Sequence, residues 1–420
     1  MVPTARAPSA LPGTPSYVTR NDELAKVKRS IWKPITADTL LIKAFSGLHS
    51  GFVSPTDIGG STVLFRNATE MIEGGSEYTY GTHATPAIMN LCCALTELEG
   101  ASATFLTPSG LQALVLSFLA LLNRGDHALV SDSAYEPLRR FCLTFLPKLG
   151  VSVSFFNPVD MFTFKVLFRS NTKLVHIESP SSNTFELVNV RALCSYIRRR
   201  KPECFVTMDN SWATPLVFKP LAHGVDVSVN ALTKHVSGSS DYVVGSLAVN
   251  DRSSSAIALY HSLFGVSVSN EQCADLLRSL KTTLRRLELS HASTLKVVKL
   301  LQQSPNVGRI YCPSISTSVG HYLWAKDYKL LNGQVSFELL PRDPAISPHD
   351  NAHQFLNRLQ IFGLGWSWGG FKSLASLVDC SSRIYPPTVK GPIIRLYIGL
   401  ENVSDLLWDL NSALNLPPLA

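Results

Sequence analysis

From about residue 100 the chain alternates short apolar runs with longer segments that carry apolar residues at helical spacing. The run at 101–107 is followed by Ser109 and Gly110, and the next apolar segment continues to Leu122. Asn123-Arg124-Gly125-Asp126 then closes that segment, with a glycine just past its last periodic residue. The pattern predicts a strand at His127–Ser131, a helix over 136–148, and further strands at 151–156, 173–178, 204–208, 226–232 and 242–249. Each strand is rich in Val, Ile or Phe and bounded by turn or charged residues. Such alternation predicts βαβ units around a mostly parallel, buried sheet, an α/β fold.

After Asn270 the texture changes. Leu277, Leu280, Leu284, Leu287, Leu295 and Val298 recur at helical spacing and predict long helices leading into a second, smaller α/β domain. That domain carries strands at Gln334–Leu339 and 393–399 and a helix built on Val403, Leu406, Leu407, Leu410 and Leu414. Residues 1–80 are weakly periodic, as an arm wrapping another surface is. Residues 1–21 hold no acid, four prolines and only Arg6 and Arg20 as basic residues, a flexible arm rather than an Arg-rich transit peptide. The expected division is an arm and intersubunit segment at 1–84, a large domain at 85–280 and a C-terminal domain at 281–420.

Composition narrows the function classes. With 45% hydrophobic and 16% charged residues over 420 positions, the chain is globular rather than disordered. Its net charge of +7 is too diffuse for a nucleic-acid binder. The basic run Arg198-Arg199-Arg200-Lys201 follows Leu193, Tyr196 and Ile197 and fits a solvated helix end. The longest apolar run, 111–122, falls short of the roughly 20 residues a membrane helix needs. Eight cysteines show no zinc-ligand spacing, which predicts no metal centre and a reducing, cytoplasmic setting.

The chemistry-bearing residues gather where strands end, the edge at which α/β sheets bind ligands. Pro108-Ser109-Gly110-Leu111 joins a strand to a helix; it is either a phosphate cradle or an ordinary tight turn. Asp209 follows a buried strand as a site carboxylate or a helix cap, and Thr233-Lys234 follows another, with an amine that alone would pass for a surface residue. Tyr135 stands just past a strand, as a ring-stacking residue or a core aromatic. Taken together, a phosphate cradle, a carboxylate and a lysine on three strand ends meet the needs of pyridoxal 5'-phosphate.

Longer motifs sharpen this. Tyr80-Gly81, Thr85-Pro86, Leu98-Glu99-Gly100, Pro108-Ser109-Gly110, Ala134-Tyr135-Glu136-Pro137 and Glu178-Ser179-Pro180 stand in order along the chain. They are followed by Asp209-Asn210-Ser211-Trp212-Ala213, Ala231-Leu232-Thr233-Lys234, Ser367-Trp368-Gly369-Gly370 and the run Arg395 to Glu401. In these motifs the chain resembles the cysteine/methionine-metabolism family of pyridoxal-phosphate enzymes over roughly 35–415, and Ser-Trp-Gly-Gly points to its cystathionine β-lyase branch.

The resemblance implies a fold-type I architecture and an enzyme that is a homodimer or homotetramer with shared active sites. It implies that Lys234 carries the cofactor and serves as base at Cα, that Asp209 pairs with the pyridine nitrogen and that Tyr135 stacks on the ring. The backbone of Gly110 and Leu111 and the hydroxyl of Thr233 would hold the phosphate, with Tyr80 reaching it from a neighbouring subunit. Arg395 would clamp the carboxylate of an amino-acid substrate, beside Ser367 and Trp368. The implied activity is cleavage of cystathionine or a related cysteine thioether to thiol, pyruvate and ammonia. The rivals are γ-replacement, racemisation at Cα, or an inactive relative that only binds cofactor. Departures from the family pattern stand at Thr82, where an arginine is frequent, at Ser239, where histidine is common, and near Ser262, a tyrosine in bacterial β-lyases.

Overall fold

The computed structural model describes residues 57–74, 76–341 and 345–414, together with positions 36, 39, 41 and 42. The arm expected at 1–21 lies outside the described residues.

Seven strands form the first sheet: β1 (Ala103–Thr107), β2 (His127–Ser131), β3 (Ser152–Phe156), β4 (Thr172–Glu178), β5 (Phe205–Asp209), β6 (Val227–Ala231) and β7 (Gly245–Val249), in the order β1-β7-β6-β5-β4-β2-β3. The pairs from β6 to β3 are parallel, and β7 runs antiparallel between β1 and β6. Both faces of this sheet are covered. In β2, Leu129 joins one apolar core while Ala128 and Val130 join the other, as the period-2 alternation of a strand requires. Near-continuous apolar strands are the sequence form of that double burial.

Helices supply the cover. Among them are α1 (Pro86–Glu99), α2 (Gly110–Leu121), α3 (Glu136–Thr144), α4 (Asn270–Leu280), the 21-residue α5 (Thr283–Gln303) and α6 (Val403–Ala413). Leu91, Leu95 and Leu98 of α1 pack on Cys273, Leu276 and Leu277 of α4 in a third core. The helix expected over 136–148 divides: α3 stops at Thr144 and a 3₁₀ turn follows at Leu146–Leu149, because Pro147 has no N–H for the ladder.

Beyond α5 a second sheet forms from β8 (Val307–Tyr311), β9 (Gln334–Leu339), β10 (Gly363–Leu364), β11 (Leu374–Val378) and β12 (Ile393–Tyr397), in the order β10-β11-β12-β9-β8. Only the β10–β11 pair is parallel. Its Val335, Phe337, Ile394 and Leu396 share one core with Val175, Ile177, Val206 and Met208 of the first sheet. Among the described residues no helix is long and apolar enough to cross a membrane, and no group of three or more His, Cys, Asp or Glu could hold a metal ion.

Candidate active site

The carboxyl ends of the parallel strands gather most of the expected residues. Asp209 is the last residue of β5, paired in register with Glu178 at the end of β4. Lys234 lies three residues past β6, in a turn fixed by the bonds Lys234 N–H to Ala231 O (3.1 Å) and Gly238 N–H to Lys234 O (2.9 Å). Arg286 of α5 then grips the next backbone carbonyls, donating to His235 O at 2.7 Å and Val236 O at 3.4 Å. The Lys234 side chain leaves this clamped turn and donates to Ser367 Oγ at 2.6 Å.

Ser367 and Trp368 arrive from the second sheet. Their loop packs against the lysine's own backbone: a Cβ at Gly369 (φ +88°) would meet Lys234 C and His235 N at 2.7 Å, so only glycine fits. The Lys234 ammonium nitrogen sits 5.4 Å from the centre of the Trp368 ring. Arg395, in the middle of β12, donates to Asn183 Oδ1 at 2.9 Å and to Ser367 O at 3.4 Å.

The site's electrostatics follow from burial and these neighbours. Burial, followed by the Arg395 charge, lowers Lys234 from 10.5 to about 8, with Asp209 opposing. Burial lowers Arg395 to about 10. It raises Asp209, whose Oδ1 accepts the Ser211 N–H at 2.9 Å, and it raises Glu178 as well, with Asp209 as the next cause. Glu178 in turn accepts from Tyr135 N–H at 2.6 Å and from the Ser182 hydroxyl at 2.5 Å. Tyr135, just before α3, is thus anchored by its backbone beside Glu178, and burial, followed by the Asp209 and Glu178 charges, raises its phenol.

Gly110 and Leu111 open α2. Ser109 caps it by accepting from Gln112 N–H at 3.0 Å, and Ala113 N–H bonds Ser109 O, which leaves the N–H groups of Gly110 and Leu111 without acceptors among the described residues. A Cβ on Gly110 would meet Ala231 Cβ at 2.7 Å, so glycine brings the helix start against β6. The Thr233 hydroxyl is occupied: it donates to Val244 O (3.1 Å) and accepts from Val244 N–H (3.0 Å). A phosphate would draw its proton from that carbonyl. Tyr80 is not brought to these residues; it is 45% exposed, bridged to Thr62 and edge-on to His83.

The donor set fits pyridoxal phosphate: two free N–H groups at a helix start for the dianion, a buried carboxylate that forms no salt bridge among the described residues for the ring nitrogen, and an amine poised near neutrality for the aldehyde. Sequence reasoning missed the parts played by Glu178, Asn183 and Arg286. Glu178 ends its strand level with Asp209, a position strand alignment reveals. Asn183 ends a Pro-Ser-Ser-Asn turn cluster, a signal for a turn but not for its partner.

The comparisons agree with the geometry. The chain belongs to the Cys/Met metabolism PLP-dependent enzyme family, whose model matches residues 39–415. It is 42% identical to a Rhizobium johnstonii protein named as a candidate cystathionine beta-lyase, over 86% of this chain and 91% of that one. It is 35% identical to the cystathionine beta-lyase of Escherichia coli, over 80% and 85%. An L-alanine/L-glutamate racemase of Wolbachia pipientis is 32% identical over 90% and 96%. The cystathionine gamma synthase of Xanthomonas oryzae superposes with a TM-score of 0.84 at 26% identity, covering 91% of this chain and 98% of that one.

Proposed function

We propose that the protein is a carbon–sulfur β-lyase that converts cystathionine or a related cysteine thioether and water into a thiol, pyruvate and ammonia. The observation that carries this is the Lys234 amine, lowered to about 8 and held by Ser367 at 2.6 Å beside Arg395. The likeness to the Escherichia coli enzyme supports the choice of reaction.

When bound, pyridoxal phosphate supplies the electron sink for charge left at Cα. Lys234 would hold the cofactor and, once released, take the Cα proton; an amine lowered to about 8 is matched to that task. The Ser367 hydroxyl orients Nζ, and Trp368 covers one side of it. Arg395 binds the substrate carboxylate through a bidentate, charge-assisted contact. Asp209 would keep the ring nitrogen protonated, Tyr135 would stack on the ring, and Gly110, Leu111 and Thr233 would hold the phosphate.

In this reading residues 85–280 form the cofactor-binding unit, 281–420 the substrate-recognising unit and 1–84 an intersubunit segment. Ile58, Leu64, Met71, Ile72 and Tyr80 expose large apolar surface on that last segment, which supports a homodimer or homotetramer in which Tyr80 enters a neighbouring site. Eight free cysteines support a reducing, cytoplasmic setting.

The racemase relative favours a second reading, in which the Cα proton is returned to the opposite face and no sulfur leaves. One assay separates the two. The cofactor-loaded protein is offered a panel of cysteine thioethers and alanine enantiomers; pyruvate with stoichiometric thiol establishes the lyase, and inversion of alanine without pyruvate overturns it.

A further inference from the structure

Both groups that hold the Arg395 guanidinium stand on strained backbone. Asn183 has φ +68° and Ser367 φ +88°, and Phe185 in the same turn has φ +56°. Left-handed non-glycine residues persist where the surroundings over-determine them, and they concentrate at functional sites. The turn from Ser181 to Glu186 is fixed from within and from without. Internally, Ser181 N–H bonds Glu186 O at 3.0 Å, Glu186 N–H bonds Ser181 Oγ at 2.9 Å, and the hydroxyls of Ser181 and Thr184 both donate to Glu186 Oε2.

The external hold comes from Arg383, beyond β11. Its Nη1 donates to Thr184 Oγ1 at 2.8 Å and its Nη2 to Glu186 Oε1 at 3.0 Å. Arg383 is itself seated beside Asp132, whose carboxylate accepts from Ile384 N–H (3.0 Å), Tyr385 N–H (2.7 Å) and Arg139 Nη1 (2.7 Å). The side chain of Asp132 is fully buried, and those of Arg139 and Arg383 are 3% and 7% exposed.

We propose that Arg383 and Glu186 are positioning residues for substrate recognition: they lock the strained turn that holds Asn183 against Arg395, and so aim the guanidinium at the substrate carboxylate. This rests on Arg395 as the carboxylate-binding residue. An arginine with one edge already bonded loses little freedom when its other edge meets a ligand.

The test uses the cofactor-loaded protein and two small amines, glycine and methylamine, which differ in the carboxylate. Their dissociation constants are read from the change in the cofactor's visible absorbance. Arg383→Gln should weaken glycine about tenfold, roughly one charge-assisted hydrogen bond, and leave methylamine unchanged. Arg383→Lys, which keeps the charge and one bond, should recover to within about threefold. Where Arg383→Gln does not retain native circular dichroism, Thr184→Val removes the hydroxyl between Arg383 and Glu186 and should give the same selective loss. Unchanged glycine binding, or equal losses for the two amines, overturns the proposal. Arg395→Leu with unchanged glycine binding overturns it together with the carboxylate reading. A wild type that prefers glycine to methylamine yet makes no pyruvate overturns the lyase assignment alone.

Discussion

The two sheets meet at the site but present their residues differently. The seven-stranded sheet delivers Asp209 and Lys234 from the ends of parallel strands, and Gly110 from the start of the helix that follows β1. Chain direction alone places those groups on one edge. The five-stranded sheet delivers Arg395 from mid-strand, between Ser336 of β9 and Ser376 of β11, and Ser367 from a left-handed loop. Its groups face the site only because the two sheets share a core and because Asn183, from the first sheet's side, reaches across. Cofactor chemistry is therefore set by topology, and substrate recognition by tertiary contacts that cross between the sheets.

The sharpest way to break this division is on the cofactor side. Lys234→Ala should lower turnover at least about 10²–10⁴-fold, the range of a positioned proton-transfer group, while the melting temperature stays near wild type. Retained activity in that variant refutes the assignment.

On the substrate side, Arg395→Leu should cut kcat/KM at least about tenfold and leave cofactor affinity unchanged. It also tests how the two sheets communicate. Arg395 is the second cause of the low Lys234 pKa, so removing its charge lets that pKa rise above about 8. Capture of the cofactor by the free protein needs the neutral amine, so its rate should climb with pH through about 8 in wild type. In the variant the climb should move to higher pH. Coincident profiles would show that the charge of one sheet does not reach the lysine of the other.

A third substitution probes the first sheet away from the site. Glu99 of α1 is buried, accepts from Ser228 Oγ (2.9 Å) and Asn230 Nδ2 (2.8 Å) of β6, and is raised by burial from 4.5 to about 7. The folded protein keeps this proton between about pH 4.5 and 7, where the unfolded chain has lost it, so stability falls as pH rises through that window. Glu99→Gln removes the ionisation. Its unfolding free energy relative to wild type should improve by about 2–3 kcal/mol between pH 5 and pH 8, with lyase activity retained. A difference independent of pH would mean that Glu99 is not held protonated.

The same division explains what was legible in the sequence. The β5 run is apolar but for Thr207 and stops at Asp209, while β6 alternates Val227, Val229 and Ala231 with Ser228 and Asn230 and ends three residues before Lys234. Strand β8 escaped because it lies at the sheet edge, half exposed, with Gly308 and Arg309 interrupting the pattern and a shift of register before Ile310. In β11, Ser376 and the exposed Leu377 interrupt the apolar face, and β10 has only two residues. Arg395 was found through a motif, but its partner Asn183 is 212 positions away, and no local pattern encodes that meeting. The hydroxyl of Thr233 was assigned to a phosphate, whereas its two bonds to Val244 show that it also ties the lysine turn to the segment leading into β7.

The smallest expected effect asks to which side the segment around Tyr80 belongs. Its backbone is fixed: Gly81 N–H bonds Ser61 O at 2.9 Å, and a Cβ on Gly81 would lie 1.7 Å from Gly60 O. Thr82 and His83 beside it are exposed, and no described contact joins them to the chain's own Lys234. If this turn enters a neighbouring subunit's phosphate site, Thr82→Arg adds a forked cation where wild type offers one neutral hydroxyl. A partly solvated charge pair is worth up to about 1 kcal/mol, so the cofactor dissociation constant should tighten about two- to fivefold. The gain should shrink as salt screens the pair, and it should disappear under conditions that dissociate the subunits. Equal or weaker binding at matched ionic strength would show that Thr82 does not face a phosphate, and the turn would then belong to neither side of the site.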